Sequence, residues 1–127
     1  MREPRWVPRL VVEAIHFDLT REHGGLPGLR DEDLLEASLA RPRHQWAYRR
    51  KVDLPTLAAA YAFGLARNHP FRDGNKRVAF VTAVVFLELN GREFEADEAD
   101  VVTTMLDLAA GKKTEAALAR WFRSHSS

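Results

Sequence analysis

The chain has 127 residues, 19 Lys plus Arg against 18 Asp plus Glu, and no cysteine. That length points to one domain, large enough to bury about two-thirds of its surface without a metal or disulfide staple. The missing cysteine excludes disulfides, thiolate nucleophiles and cysteine-ligated zinc, and a formal charge of +1 argues against a dedicated nucleic-acid coat.

Apolar residues recur at three- and four-residue spacing, which predicts a mostly helical chain. A first helix is expected from about Pro8 to Glu22, with Leu10, Val11, Ala14, Ile15 and Leu19 on one face and His23-Gly24-Gly25 ending it. Asp31 reads as the N-cap of a second helix, with Leu34, Leu35, Ser38 and Leu39 inward and Pro42 stopping it. Trp46 and Tyr48 lie two apart, as in an extended piece, and Arg49-Arg50-Lys51 follows as a basic tip. A small hairpin or flap is therefore expected near residues 45–52. Asp53 caps a third helix with Leu57, Ala58, Tyr61 and Leu65 on its stripe, ending near Asn68.

A fourth helix runs from Asn75 to Asn90, and Gly91 terminates it. Between Val78 and Leu87 it has almost no polar face, so it is expected to be the central, buried element. The same run is far short of the ~20 residues that cross a bilayer. With no signal-like segment at the start, a soluble cytoplasmic protein is expected. Phe94 fits a short extended link. Asp97 opens a fifth helix with Val101, Val102, Met105, Leu106 and Ala109 inward, and Thr114 caps a sixth bearing Leu118, Trp121 and Phe122. Ser124-His125-Ser126-Ser127 reads as a frayed tail.

The chemistry concentrates between the third and fourth helices, in His69-Pro70-Phe71-Arg72-Asp73-Gly74-Asn75-Lys76-Arg77. A helix start offers unpaired N–H groups and the positive end of the dipole, so Gly74, Asn75 and Lys76 are placed to wrap a phosphate. Lys76 and Arg77 add charged donors. Asp73 is a lone carboxylate beside that anion site, which is how magnesium is commonly held with substrate phosphates. Histidine is the side chain that titrates nearest neutrality, and His69 stands where it can take a proton from a hydroxyl. Phe71 reads as an anchor into the core. A plain helix-to-helix turn uses the same Pro, Asp-Gly and Asn. The joint presence of His69, Asp73, Asn75, Lys76 and Arg77 favours function. His16, His23 and His44 have no acidic partner at metal-ligand spacing and read as structural or solvent-facing.

HPFRDGNKR resembles the signature loop of the Fic/Doc superfamily. The general signature carries a second glycine where this chain has Lys76, and the lysine resembles the Doc branch, the death-on-curing toxins of bacterial toxin–antitoxin pairs. The stretches EHGG…GLRDEDLLEASLARPR and LAAAYAFGLARNHPF are similar as well, so the likeness covers roughly Val7 to Phe122. It implies one all-α domain over residues 1–127, about six helices around a buried central one, with a flap near 45–52 that aligns the target by strand-like pairing.

Carried over residue by residue, the resemblance makes His69 the base and Asp73 the magnesium ligand. Gly74 and Asn75 shape the anion hole, and Lys76 and Arg77 meet phosphates. Arg67 and Asn68, just before the motif, are expected to help hold the nucleotide. ATP and Mg2+ are the implied cofactors. Fic proteins typically move AMP onto a target hydroxyl. Doc is known as a kinase that transfers the γ-phosphate to a threonine of translation elongation factor Tu and arrests translation. Lys76 rationalises the switch, because its side chain fills the room a glycine leaves for the outer phosphates and so reverses the nucleotide. A kinase of that type is the expectation, with protein adenylyl transfer the alternative. No Ser/Thr-x-x-x-Glu-Gly/Asn inhibitory string is present. Control is expected in trans, from an antitoxin whose C-terminal segment folds on binding, with no direct contact to nucleic acid or membrane.

Overall fold

Three of the helix starts follow side-chain caps that the sequence supplies. The computed structural model describes residues 2–127, and its elements in order are α1 (Arg9–His23), α2 (Glu32–Tyr48), α3 (Leu54–Asn68), α4 (Asn75–Leu89), α5 (Glu98–Ala109) and α6 (Glu115–Ser124). Asp31, Asp53 and Thr114 each accept the amide three residues on, at 3.0 Å, and so satisfy one unpaired donor of α2, α3 and α6. Gly74 precedes α4 in the left-handed region, at φ 75° and ψ 18°, which glycine adopts without steric cost. The expected all-helical architecture is thus present, and no strand forms among the described residues beyond two isolated bridges, Leu29 with Phe71 and Phe94 with Ser126.

The centre of the bundle is α3. Its residues Leu57 to Ala62, Gly64, Leu65 and Ala66 are all buried, and α2, α4 and α6 pack around it. The small side chains Ala58, Ala59, Ala60 and Ala62 let those helices approach closely. The apolar α4 lies alongside. Val78, Ala79, Ala83, Phe86 and Leu87 are buried, while Phe80, Val81, Val84 and Val85 are only half covered. The expectation that α4 is the central element is therefore corrected: α3 is packed by α2, α4 and α6, whereas one face of α4 stays half covered.

Several local expectations need correction. Pro42 lies inside α2, which continues six residues beyond it to Tyr48. Proline removes one helical hydrogen bond, but Leu35, Ser38, Leu39 and Pro42 form a buried stripe against α3. Gly64 of α3 there lies so close that a Cβ would stand 3.3 Å from Ser38 Cα. That packing outweighs the local break. The hairpin near residues 45–52 is consequently absent: 45–48 form the last turn of α2, and 49–53 are a short connection. Trp46 is half-buried and Tyr48 is 85% exposed, so the two do not share a face.

On α1 the buried pair is Val12 and His16, whereas Leu10 is 79% exposed. On α5, Val102 and Leu106 are exposed and Thr104, Met105 and Leu108 are buried. The tail is tied down as well: Glu93 and Ser127 exchange two main-chain hydrogen bonds, at 3.0 and 2.9 Å, and the Glu95 amide donates to His125 O at 2.9 Å. No helix among the described residues is long and apolar enough to cross a membrane.

Candidate active site

The loop between α3 and α4 is held from behind by the segment that joins α1 to α2. Pro70 O accepts the amides of Arg30 and Asp31, at 2.8 and 3.0 Å, and the Arg72 amide donates to Gly28 O at 3.0 Å. The Arg30 guanidinium donates to the carbonyls of His69 and Asn68, at 2.7 and 2.8 Å, and so satisfies the open C-terminal end of α3. His69 itself sits in the left-handed region at φ 49° and ψ 56°. This conformation turns the chain sharply out of α3 and leaves the imidazole exposed at the cavity.

Phe71 is buried and fixes the middle of the loop, as expected. Its ring stacks on His16, with centroids 4.1 Å apart. Its main chain is bound twice by Asn75: the Phe71 amide donates to Asn75 Oδ1 and Asn75 Nδ2 donates to Phe71 O, both at 2.9 Å. Asn75 is thus buried and its side chain is spent on the loop. It braces the loop at the start of α4 and lines the cavity there, but its side chain is not directed at a ligand.

Asp73 is exposed, and three contacts orient it. Its Oδ1 accepts the Gly74 amide at 2.9 Å, its Oδ2 accepts the Leu26 amide at 3.3 Å, and its main-chain oxygen lies 3.0 Å from His16 Nε2. Gly25 passes so close that a Cβ there would meet Asp73 Oδ2 at 2.8 Å. A carboxylate oxygen has two lone pairs, so one amide each leaves capacity for a cation. A single carboxylate suits magnesium, which keeps waters and substrate oxygens for the rest of its shell. No group of three or more acidic or histidine ligands occurs among the described residues, so such an ion would be shared between Asp73 and a phosphate ligand.

The first amides of α4, those of Asn75, Lys76 and Arg77, meet no acceptor among the described residues. Lys76 and Arg77 are exposed beside them, and neither they nor Arg72 joins an ion pair there. Together these groups line a cavity of about 480 Å³ that holds His69, Arg72, Asp73 and Gly74 on its polar side. Phe80 of α4 and Val101, Val102, Met105 and Leu106 of α5 form the opposite wall. The cavity therefore combines an imidazole, a carboxylate and an amide-rich cationic floor with an apolar flank, a set suited to a phosphate ester that carries an apolar ring system.

The family assignment follows from this arrangement together with sequence similarity. Residues 6–87 match the model of the Fic/DOC family, a span that includes the whole loop from His69 to Arg77. The chain belongs to the Fic/DOC family. Within it the chain falls in the Doc branch. It is 36% identical over 102 residues to a protein of Escherichia phage P1 described as protein kinase doc, covering 80% of this chain and 76% of that one. It is 45% identical over 78 residues to toxin Doc of Mycolicibacterium smegmatis, covering 58% of each chain.

Of the residues expected at the site, His69, Asp73, Gly74, Asn75, Lys76 and Arg77 all line the one cavity. Asn68 does not: its amide nitrogen donates to Ser38 Oγ at 2.9 Å, on the α2 side of α3. Arg67 likewise lies over the Phe63 ring, 5.5 Å from its centroid. The cationic stretch Arg49-Arg50-Lys51 borders a separate open groove with Trp46, Val52 and Arg123. Two residues had no role in the sequence reading of the site and gain one here, His16 and Arg30. Both bind the loop's main chain from more than thirty positions away, so no local pattern announces them. The apolar wall from α5 was read as core for the same reason.

Proposed function

We propose that this protein, as a single Fic/Doc domain, is a Doc-type toxin that transfers the γ-phosphate of ATP to a protein hydroxyl. The proposed target is a threonine of translation elongation factor Tu in the cytoplasm. The observation that carries this reading is Lys76 in the first turn of α4, lining the same cavity as His69 and Asp73. A cation there occupies the space that a nucleotide bound in the opposite sense needs for its outer phosphates, and it favours a pose with the γ-phosphate toward His69. The description of the phage P1 relative as a protein kinase supports the same direction of transfer.

In the proposed reaction His69 accepts the proton of the target hydroxyl. The freed oxygen attacks the γ-phosphorus, the bond from that phosphorus to the β–γ bridging oxygen breaks, and ADP leaves. Phosphoryl transfer demands mainly positioning and charge neutralisation, which the α4 amides, Lys76 and Arg77 supply. Magnesium held by Asp73 would neutralise charge on the phosphate oxygens. The same reading assigns the protein a cognate antitoxin, in keeping with the toxin name of the mycobacterial relative.

ATP labelled at the α- or the γ-phosphate, with Mg2+ and purified elongation factor Tu, tests the proposal. Label is expected from the γ position only and is lost in His69→Ala. Lys76→Gly is expected to lower γ-transfer and to admit label from the α position. Transfer from the α position by the unaltered protein would sink the kinase reading and leave an adenylyl transferase.

A further inference from the structure

His16 takes no part in the chemistry above, yet it is a polar side chain only 4% exposed. It lies on the inner face of α1 with its ring flat on Phe71, the planes 12° apart. Its Nε2 is 3.0 Å from the main-chain oxygen of Asp73, 57 positions along the chain. A carbonyl oxygen only accepts, so Nε2 carries the hydrogen and donates it. Thr20 Oγ1, at 3.5 Å from the same nitrogen, stands at the limit of hydrogen-bond range.

The Asp73 carbonyl and the Gly74 amide belong to one planar trans peptide, and they point in opposite directions. Fixing the oxygen toward α1 therefore turns the Gly74 N–H to the other side, where Asp73 Oδ1 accepts it at 2.9 Å. Gly74 has φ 75°, and glycine populates either sign of φ about equally. The local sequence leaves this peptide plane free to flip. Its neighbours are pinned by other means: Phe71 by Asn75, and Arg72 by Gly28 O.

We propose that His16 is a positioning residue whose Nε2–H locks the Asp73–Gly74 peptide plane and thereby sets the Asp73 carboxylate against the start of α4. The proposal rests on the reading of His69 and Asp73 as the reacting site. It adds a support from α1 that never touches substrate.

His16→Phe and His16→Gln separate the donor from the ring. Phenylalanine keeps the stacking on Phe71 and removes the N–H. Glutamine gives up the ring and returns an N–H at similar reach. His16→Phe is expected to lower kcat for γ-phosphoryl transfer by about tenfold or more, since an ångström of misplacement costs on the order of a hundredfold. KM for ATP should stay within about threefold, and His16→Gln should recover most of the kcat. The Gly74 amide resonance in a nucleotide-free 15N spectrum should move in His16→Phe and return in His16→Gln.

A His16→Phe protein with unaltered kcat and an unmoved Gly74 resonance would overturn the proposal. So would His16→Gln as impaired as His16→Phe, because returning the N–H would then restore nothing. If the unaltered protein transfers no phosphate, the kinase reading fails and the spectra decide the lock alone. A Gly74 resonance displaced by phenylalanine and restored by glutamine sustains it, and an unmoved one overturns it.

Discussion

Among the described residues His69 is the one non-glycine residue with positive φ. A side chain in that conformation costs roughly 1–2 kcal/mol, and two features hold it there. The Arg30 guanidinium binds the His69 carbonyl, and the buried Pro70 and Phe71 fix the chain just beyond. Strain held at such a point fits the role that the proposed reaction gives His69 at the cavity mouth. His69→Gly should therefore raise unfolding free energy by up to about 1 kcal/mol, read as a higher urea midpoint, while phosphoryl transfer is lost. His69→Ala keeps the strain and should lose activity without that gain. A urea midpoint lower in His69→Gly than in His69→Ala would show that the turn is not strained.

At the scale of elements, side-chain caps mark where α2, α3 and α6 begin, and contacts between helices carry α2 past Pro42. Asp53 serves both as a cap and as a contact. It caps α3 through the Thr56 amide and pairs with Arg123 of α6, Nε to Oδ2, at 2.8 Å. Partial burial pushes its carboxyl upward, but the hydrogen bonds from Arg123 and Thr56 together outweigh this and hold it at about 2, below the ordinary 3.8. A carboxyl depressed in the folded state stabilises the fold above its unfolded pKa, and that contribution fades as pH falls through about 2. Asparagine caps a helix as well as aspartate does. Asp53→Asn thus isolates the ion pair, which is half exposed and worth about 0.5–1 kcal/mol. The gap in thermal stability between the two proteins should be full above pH 4 and close toward pH 2; a constant gap would assign the loss to something other than the carboxylate charge.

The same contrast between caps and packing explains what was legible in the sequence. Asp31, Asp53, Thr114 and Gly74 mark their boundaries because a cap is written within four residues. Pro42 misled because the stripe that carries α2 through it is completed by Gly64, twenty-two positions away. The cavity's polar side was legible for the first reason, since His69 to Arg77 is contiguous. Its supports were not, because His16 and Arg30 act on backbone atoms that only the fold brings near.

Across the whole molecule, the cavity joins two unequally anchored parts. Its polar side rises from α3 and α4, the most extensively packed pair in the bundle, whereas α5, which supplies the apolar wall, packs far less against either. Besides the buried Thr104, Met105 and Leu108, a side-chain tie from Trp121 of α6 holds the start of α5. Trp121 Nε1 donates to Asp100 Oδ2 at 3.0 Å, and its ring packs with Phe80, Phe94 and Phe122. His125 joins from the tail, with Nε2 3.2 Å from the same carboxylate oxygen. Phenylalanine at position 121 keeps an aromatic ring and removes the donor. Loss of one hydrogen bond to a partly exposed carboxylate should cost about 1–2 kcal/mol, concentrated in α5. Amide exchange should therefore quicken over Glu98–Ala109 in Trp121→Phe with little change in α3. KM for ATP should rise severalfold, because the apolar wall is less often in place, while kcat at saturating ATP stays close to that of the unaltered protein, because His69 and Asp73 are held from α1 and the α1–α2 segment. A fall in kcat with KM unchanged would mean instead that the α6–α5 tie reaches the reacting groups, and that the two parts of the cavity move as one.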